Sequence, residues 1–130
     1  MPIPAGWASK LLSVLRIAAG LAFLEHGTMK WLHFPPPPEG MSGPMNAMTM
    51  ASGTIELVAG ALLVIGLFTR PAAFIASGMC AVGYFMVHAP GGLFPALNGG
   101  EAIMLYCFIF LYLAAAGGGA WSVDAQRGKS

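Results

Sequence analysis

The sequence predicts an all-α integral membrane protein: four helices packed as an antiparallel up-down bundle, with both termini cytoplasmic and one domain over residues 1–130. Three observations carry that expectation. The chain is 57% hydrophobic and 8% charged, with mean hydropathy +0.73, whereas soluble domains carry about 25% charged residues. Four apolar stretches approach the ~20 residues needed to cross a hydrocarbon core of about 30 Å. The Lys and Arg residues that flank them gather on one side, as cytoplasmic connections do.

The first span is placed at about 9–29. Lys10 precedes an apolar run, as in a secretory signal. Arg16 interrupts that run, however, and it continues to Glu25 and His26 without a small-residue cleavage site, so it reads as an uncleaved span. Pro35 to Pro38 then favour a stiff, extended loop. The second span is placed at about 45–68, with Thr69-Arg70 alone as the turn into a third at about 71–87. Pro71 suits a first helical turn, and Gly78 and Gly83 are tolerated because glycine is common in spans. The Gly- and Pro-rich stretch 88–100 reads as irregular. A fourth span follows at about 101–116, then a polar tail, 117–130, behind three glycines. No internal repeat is evident.

Alternating spans place Lys10, Arg70, Arg127 and Lys129 on the side of the termini, and leave Lys30 opposite them with Glu25, Glu39 and Glu101. The proline loop and residues 98–101 therefore face outward. Net charge is +1, and the six Lys and Arg residues are scattered. Nucleic-acid binders need a clustered basic face, so that class of partner is excluded. Cys80 and Cys107 lie in apolar spans without a CxxC spacing, which favours small buried residues over thiol chemistry.

Charges inside spans are costly, by roughly 2.5–3.5 kcal/mol each on insertion scales, and they mark partners or polar cavities. Glu56 and Arg16 are two such residues. At 100° per residue, Arg16, Gly20, Phe23, Gly27 and Lys30 share one helix face, and Thr49, Gly53, Glu56 and Gly60 share another. Small residues on those faces mark close helix contacts. On the fourth span Glu101, Leu105, Phe108 and Tyr112 align. A rise of about 1.5 Å per residue puts Arg16 about 21 Å and Glu56 about 16 Å below the outer surface. An Arg16–Glu56 ion pair is the expectation, read first as a lock between helices and second as a ligand or proton site.

A second polar group is expected at the outer face: Glu25, His26, Lys30, His88, Asn98 and Glu101. Histidine beside carboxylates can move protons. Asn98 to Glu101 also reads as a plain turn, with Glu101 set against a helix N-terminus. Phe23, Tyr106 and Tyr112 are candidates to stack on a flat ligand. No metal site is expected, because three or four converging ligands are needed. The methionines of 41–50 are flexible apolar filler first, and soft ligands for copper(I) second.

HGTMK (26–30), ELVAGALLVIGLFTRPAA (56–73), NGGEAIMLYCFIFL (98–111) and GGGAWSVD (117–124) together resemble the DoxX family of small bacterial membrane proteins. The residues matching its motifs are Arg16, His26, Gly27, Lys30, Glu56, Gly60, Thr69, Arg70, Asn98, Gly99, Glu101, Tyr106 and Asp124. The resemblance implies a four-span bundle in the bacterial inner membrane. It also implies a redox association, since a small subunit of an archaeal thiosulfate:quinone oxidoreductase is among its members. No nucleotide-binding loop, haem attachment site or iron–sulfur cysteine set is present in the sequence. The expectation is thus a redox-associated or quinone-interacting accessory subunit, more a component than an enzyme on its own, with quinone as the candidate cofactor. Lipid, oxidoreductase subunits and further copies of the chain are the candidate partners. The alternative is a non-enzymatic anchor or assembly subunit. A transporter is disfavoured, because paired repeats with broken helices are not found.

Overall fold

The computed structural model describes residues 2–39 and 43–129. Those residues are helical wherever they are regular, with no strand among them. A short 3-10 turn, Ala5–Trp7, leads into α1, Ala8–Leu32. The helix outruns the expected end at 29 and stops at His33, whose backbone is left-handed at φ 53°. Prolines beyond it cannot donate the hydrogen bonds that a longer helix requires.

The Asn46 side chain opens α2, Ala47–Ile65, by accepting a 2.8 Å bond from the Thr49 amide. Gly66, at φ +74°, closes it, with its amide donating to Leu62 O at 2.8 Å. The turn into α3, Thr69–Gly83, is therefore Gly66 to Phe68 rather than the expected Thr69-Arg70. Thr69 and Arg70 already belong to the helix because the Asp124 carboxylate caps it from the far end of the sequence. Its Oδ1 accepts from Phe68 N and its Oδ2 from Thr69 N, both at 2.9 Å.

Beyond Gly83 the rod continues through one wide π turn, Tyr84–His88, and a 3-10 turn, Ala89–Gly91. A one-turn helix α4, Pro95–Asn98, precedes α5, Glu101–Ala116, and another, α6, Val123–Gln126, follows it. Among the described residues, three helical rods are long and apolar enough to cross a membrane, of 28, 19 and 23 residues. The apolar helix α5 is shorter, and the π and 3-10 turns extend the third rod to Gly91.

Packing joins α1 to α2, α2 to α3 and α3 to α5. The α1–α2 contact depends on missing side chains. A Cβ on Gly60 would lie 2.8 Å from Leu24 Cα, and one on Gly27 would lie 2.8 Å from Leu57 N. In lipid, where association depends on close van der Waals contact, small residues at such points let backbones touch. The buried positions of α1 include Arg16, Gly20, Phe23 and Gly27, and those of α2 include Gly53, Glu56 and Gly60, the faces predicted from helical spacing. On α5 the aligned residues Glu101, Leu105, Phe108 and Tyr112 share the outward face. Phe110 and Leu113 point inward, while Leu105, Phe108 and Tyr112 are exposed. An almost uniformly apolar helix offers periodicity no polar contrast from which to choose a face.

Candidate functional site

Two polar centres stand at opposite ends of the bundle. At the tail end, Arg16 is 1% exposed and surrounded by backbone oxygens. Its Nε donates to Leu63 O at 2.8 Å, one terminal nitrogen to Trp121 O at 2.8 Å, and the other to Gly118 O. Ser13 Oγ also donates to Gly118 O at 3.0 Å and accepts from Trp121 N at 2.9 Å. The closing segment 117–124 is thereby folded back onto α1 and the turn between α2 and α3. Asp124 completes this end through its cap on α3. Burial alone would raise its carboxyl, but the Thr69 and Phe68 amides and nearby Arg127 outweigh that and hold it below the ordinary carboxylate value.

The expected Arg16–Glu56 pair is not formed. A helix leaves its last carbonyls without partners inside the helix, and in α2 these include Leu63 O. The five-donor guanidinium of Arg16 takes this group and the tail carbonyls. Glu56, two turns earlier in α2, faces the opposite end and accepts from Lys30 Nζ at 2.6 Å.

That pair belongs to the proline-loop end, where α1 ends and α2 begins. Lys30 Nζ also donates to Ser52 Oγ at 3.1 Å, one turn before Glu56. The pair lines a cavity of about 510 Å³ between α1, α2, the α3 rod and α5. Phe23, Ile55, Met79, Cys80, Ile103 and Tyr106 form most of its apolar wall. Phe23 meets Phe110 edge-on at 5.0 Å between centroids, and Tyr106 stacks on Phe110 at 5.8 Å. His26 lies edge-on to Tyr106 at 6.5 Å. Its Nδ1 is 2.8 Å from Ala22 O, an acceptor only, so Nδ1 carries the donated hydrogen and Nε2 is the nitrogen left for other partners.

The cavity brings together Phe23, His26, Lys30, Glu56, His88 and Tyr106. It does not gather the rest of the expected residues. Arg16 is at the other end, and Glu25 and Glu101 are exposed. Tyr112 is 60% exposed on the outside of the bundle. Asn98 organises the loop before α5: its amide donates to Tyr84 Oη at 3.1 Å and Gly92 O at 3.0 Å, and its Oδ1 accepts from Gly100 N at 2.8 Å. His88 Nδ1 joins that loop by donating to Asn98 O at 3.2 Å. Of the methionines considered for copper(I), Met48 lines the cavity and Met41 lies outside the described residues.

Ser52, Met79 and Cys80 were not anticipated at the site, nor Ser13 and Gly118 at the tail end. Two of these carried a signal in the sequence. Ser52 is one turn from Glu56, and Ser13 is one turn from Arg16, so each shares the face of its charged neighbour. Cys80 and Met79 carried none beyond apolar character.

The sequence model of the DoxX family matches residues 11–89, more than half of the chain. The chain belongs to the DoxX family. The match includes Arg16, His26, Lys30, Glu56, Cys80 and His88, and ends before Tyr106 and Asp124. An uncharacterized protein of Haemophilus influenzae is 44% identical over 117 residues, covering 87% of each chain. No solved structure matches this DoxX-family chain. Membership, together with three membrane-length apolar helices, makes it a multi-pass membrane protein embedded in the bilayer.

Proposed function

We propose that this protein holds a quinone-type redox carrier in the Lys30–Glu56 cavity and serves a membrane oxidoreductase system as an accessory subunit. The cavity carries the reading: about 510 Å³, aromatic and aliphatic walls, and one ion pair exposed to the space. Small-molecule sites commonly have volumes of roughly 300–1,000 Å³ and a few convergent polar groups. A bound quinone would supply a carrier of electrons and protons. The side chains present suit its head group. An ammonium has three donors, and Lys30 uses Glu56 and Ser52, so one N–H remains for an acceptor oxygen. Glu56 holds that ammonium in place. Tyr106 and Phe23 offer aromatic surface to a flat ring, and His26 Nε2 can take or give a proton at the same wall.

The same reading counts α5 as a fourth crossing and the bundle as antiparallel. At 16 residues it spans about 24 Å by helical rise, which local thinning of the bilayer accommodates. Lys10, Arg70, Arg127 and Lys129 then favour cytoplasmic termini. This orientation puts the cavity in the outer half of a bacterial inner membrane. Solvent extraction of the protein purified in mild detergent tests the assignment. Quinone near one per chain is expected from the wild type, with loss in Lys30→Gln. A quinone-free wild type that also fails to take up added quinone would overturn it.

A non-enzymatic anchor is the second reading. It is favoured by the exposed Glu25, beside Leu32 at 68% and Phe34 at 73% exposure, on the surface at the proline-loop end. A partner retained through native purification would support it, and a lone monomer or homo-oligomer would count against it.

A further inference from the structure

The cavity has two boundaries of opposite character. On one side it reaches the surface between α2 and the α3 rod. Met48, Val82, Met86 and Val87 line it there, yet are 58%, 58%, 51% and 69% exposed. Apolar side chains that face both a cavity and the outside of a membrane-embedded bundle form a gap open to acyl chains. Nearer the tail end, small residues such as Ala72, Ala73 and Ala76 of α3 are buried in the core. The opening therefore belongs to the proline-loop half, where α3 passes into its π turn.

On the other side, His26 and Lys30 also line a second cavity of about 460 Å³ under the proline loop. Its remaining wall includes His33, Asn46, Thr49, Pro37 and Pro44. His26 and Lys30 are thus the side chains common to an apolar space open to lipid and a more polar space beneath a loop.

Resting on the quinone reading, we propose that the carrier enters sideways from the bilayer between α2 and the α3 rod and binds with its tail in that gap. Its oxygen-bearing head reaches the wall formed by His26 and Lys30, and its prenyl-like tail lies between Ala51 of α2 and Val82 of α3. The ligand class follows from the two boundaries. The molecule has an apolar tail long enough to remain in lipid and a compact head with acceptor oxygens for the free N–H of Lys30. Water-borne protons reach that head through the space under the proline loop, past His26.

The test compares ubiquinone-10 with its tail-less head group, 2,3-dimethoxy-5-methyl-benzoquinone, binding to the full chain in nanodiscs. Ala51→Trp and Val82→Trp fill the gap from opposite walls, and Val58→Trp is a lipid-facing control away from the cavity. Each gap variant should weaken ubiquinone-10 by about tenfold or more, equivalent to about two lost methylene contacts. Both should leave the tail-less compound within about twofold, a small part of one tenfold step in affinity. Met45→Trp, on the second cavity only, should leave ubiquinone-10 unchanged. Undiminished ubiquinone-10 binding by a folded gap variant would overturn sideways entry while leaving the quinone reading intact. Equal loss of both compounds also overturns it, since the tail would then not be the part in the gap. A wild-type protein that binds neither compound removes both readings.

Discussion

The two ends of this bundle each bury charge, and they treat it in opposite ways. At the tail end the buried charges meet close partners: Arg16 meets three carbonyls at close range, Ser13 bridges the same stretch of tail, and Asp124 caps α3, while the buried Thr69 Oγ1 has no hydrogen-bond partner among the described residues. None of these three residues lines either of the two cavities described above. At the proline-loop end Lys30 keeps a spare donor, and the Lys30–Glu56 pair opens into about 510 Å³ of space. A polar network closed within the fold rigidifies it, whereas one beside a cavity is equipped to meet a ligand. Access to a cavity, more than burial, separates the two.

The largest effects should follow from breaking the tail end. Arg16→Gln leaves the Leu63 and Trp121 carbonyls without their donor and should cost roughly 1–3 kcal/mol for each, as a buried acceptor left unsatisfied does. Folded yield and thermal midpoint in detergent would measure it, and a variant as stable as wild type would refute the structural role of this end. Next comes the open end. Lys30→Gln and Glu56→Gln should be non-additive by about 1–3 kcal/mol, as contacting residues are. Arg16→Gln combined with Glu56→Gln should instead add within roughly 0.5 kcal/mol, because the two do not touch. Coupling between Arg16 and Glu56 in that cycle would restore the pairing that the structure rejects.

Helical spacing alone located the inward faces of α1 and α2, because glycines and single charges break their apolar surface. Phe23, Lys30 and Glu56, which lie on those faces, line the cavity. Partner choice was not legible. A first span ending near 29 leaves Lys30 at the outer surface, whereas α1 runs on to Leu32 and Lys30 reaches Glu56. Among the described residues Arg16 has no charged side chain as its close partner, and the groups that accept its hydrogen bonds are carbonyls, which every residue has. On α5, Tyr106 and Tyr112 differ in no local feature, so only packing against Phe110 separates the tyrosine at the site from the one facing outward. The turn at Gly66 was missed because the cap that starts α3 comes from Asp124, more than fifty residues away.

Asp124 allows the tail end to be probed by pH. Asp124→Asn keeps one acceptor oxygen and sets a donor against the other helix amide, so it should cost about 1–2 kcal/mol near neutral pH. The sign of the pH dependence follows from its lowered folded-state value. As pH falls below the ordinary carboxylate range, the unfolded chain takes up the proton first, so unfolding becomes easier. The contribution of Asp124 is complete at neutral pH and is lost as pH falls through the lowered value. Thermal midpoints of wild type and Asp124→Asn should therefore converge at acid pH. A constant gap between them would show that the cap acts without its charge.

The smallest effect expected separates the two tyrosines of α5, and it sharpens the contrast between site and surface. Tyr112 is 60% exposed on the outside of the bundle, so Tyr112→Ala should change stability by less than about 0.5 kcal/mol. Quinone retention should also be unchanged. Tyr106 is half-buried, stacked on Phe110 and on the cavity wall, so Tyr106→Ala removes both a core contact and ligand surface. An aromatic pair contributes about 0.5–1.5 kcal/mol beyond its buried area, and the same range in binding lowers quinone occupancy severalfold. Tyr106→Phe keeps the ring and should retain most of the binding if stacking is its role. A loss in Tyr106→Phe as large as in Tyr106→Ala would assign the effect to the hydroxyl, and so to a hydrogen bond with the head group.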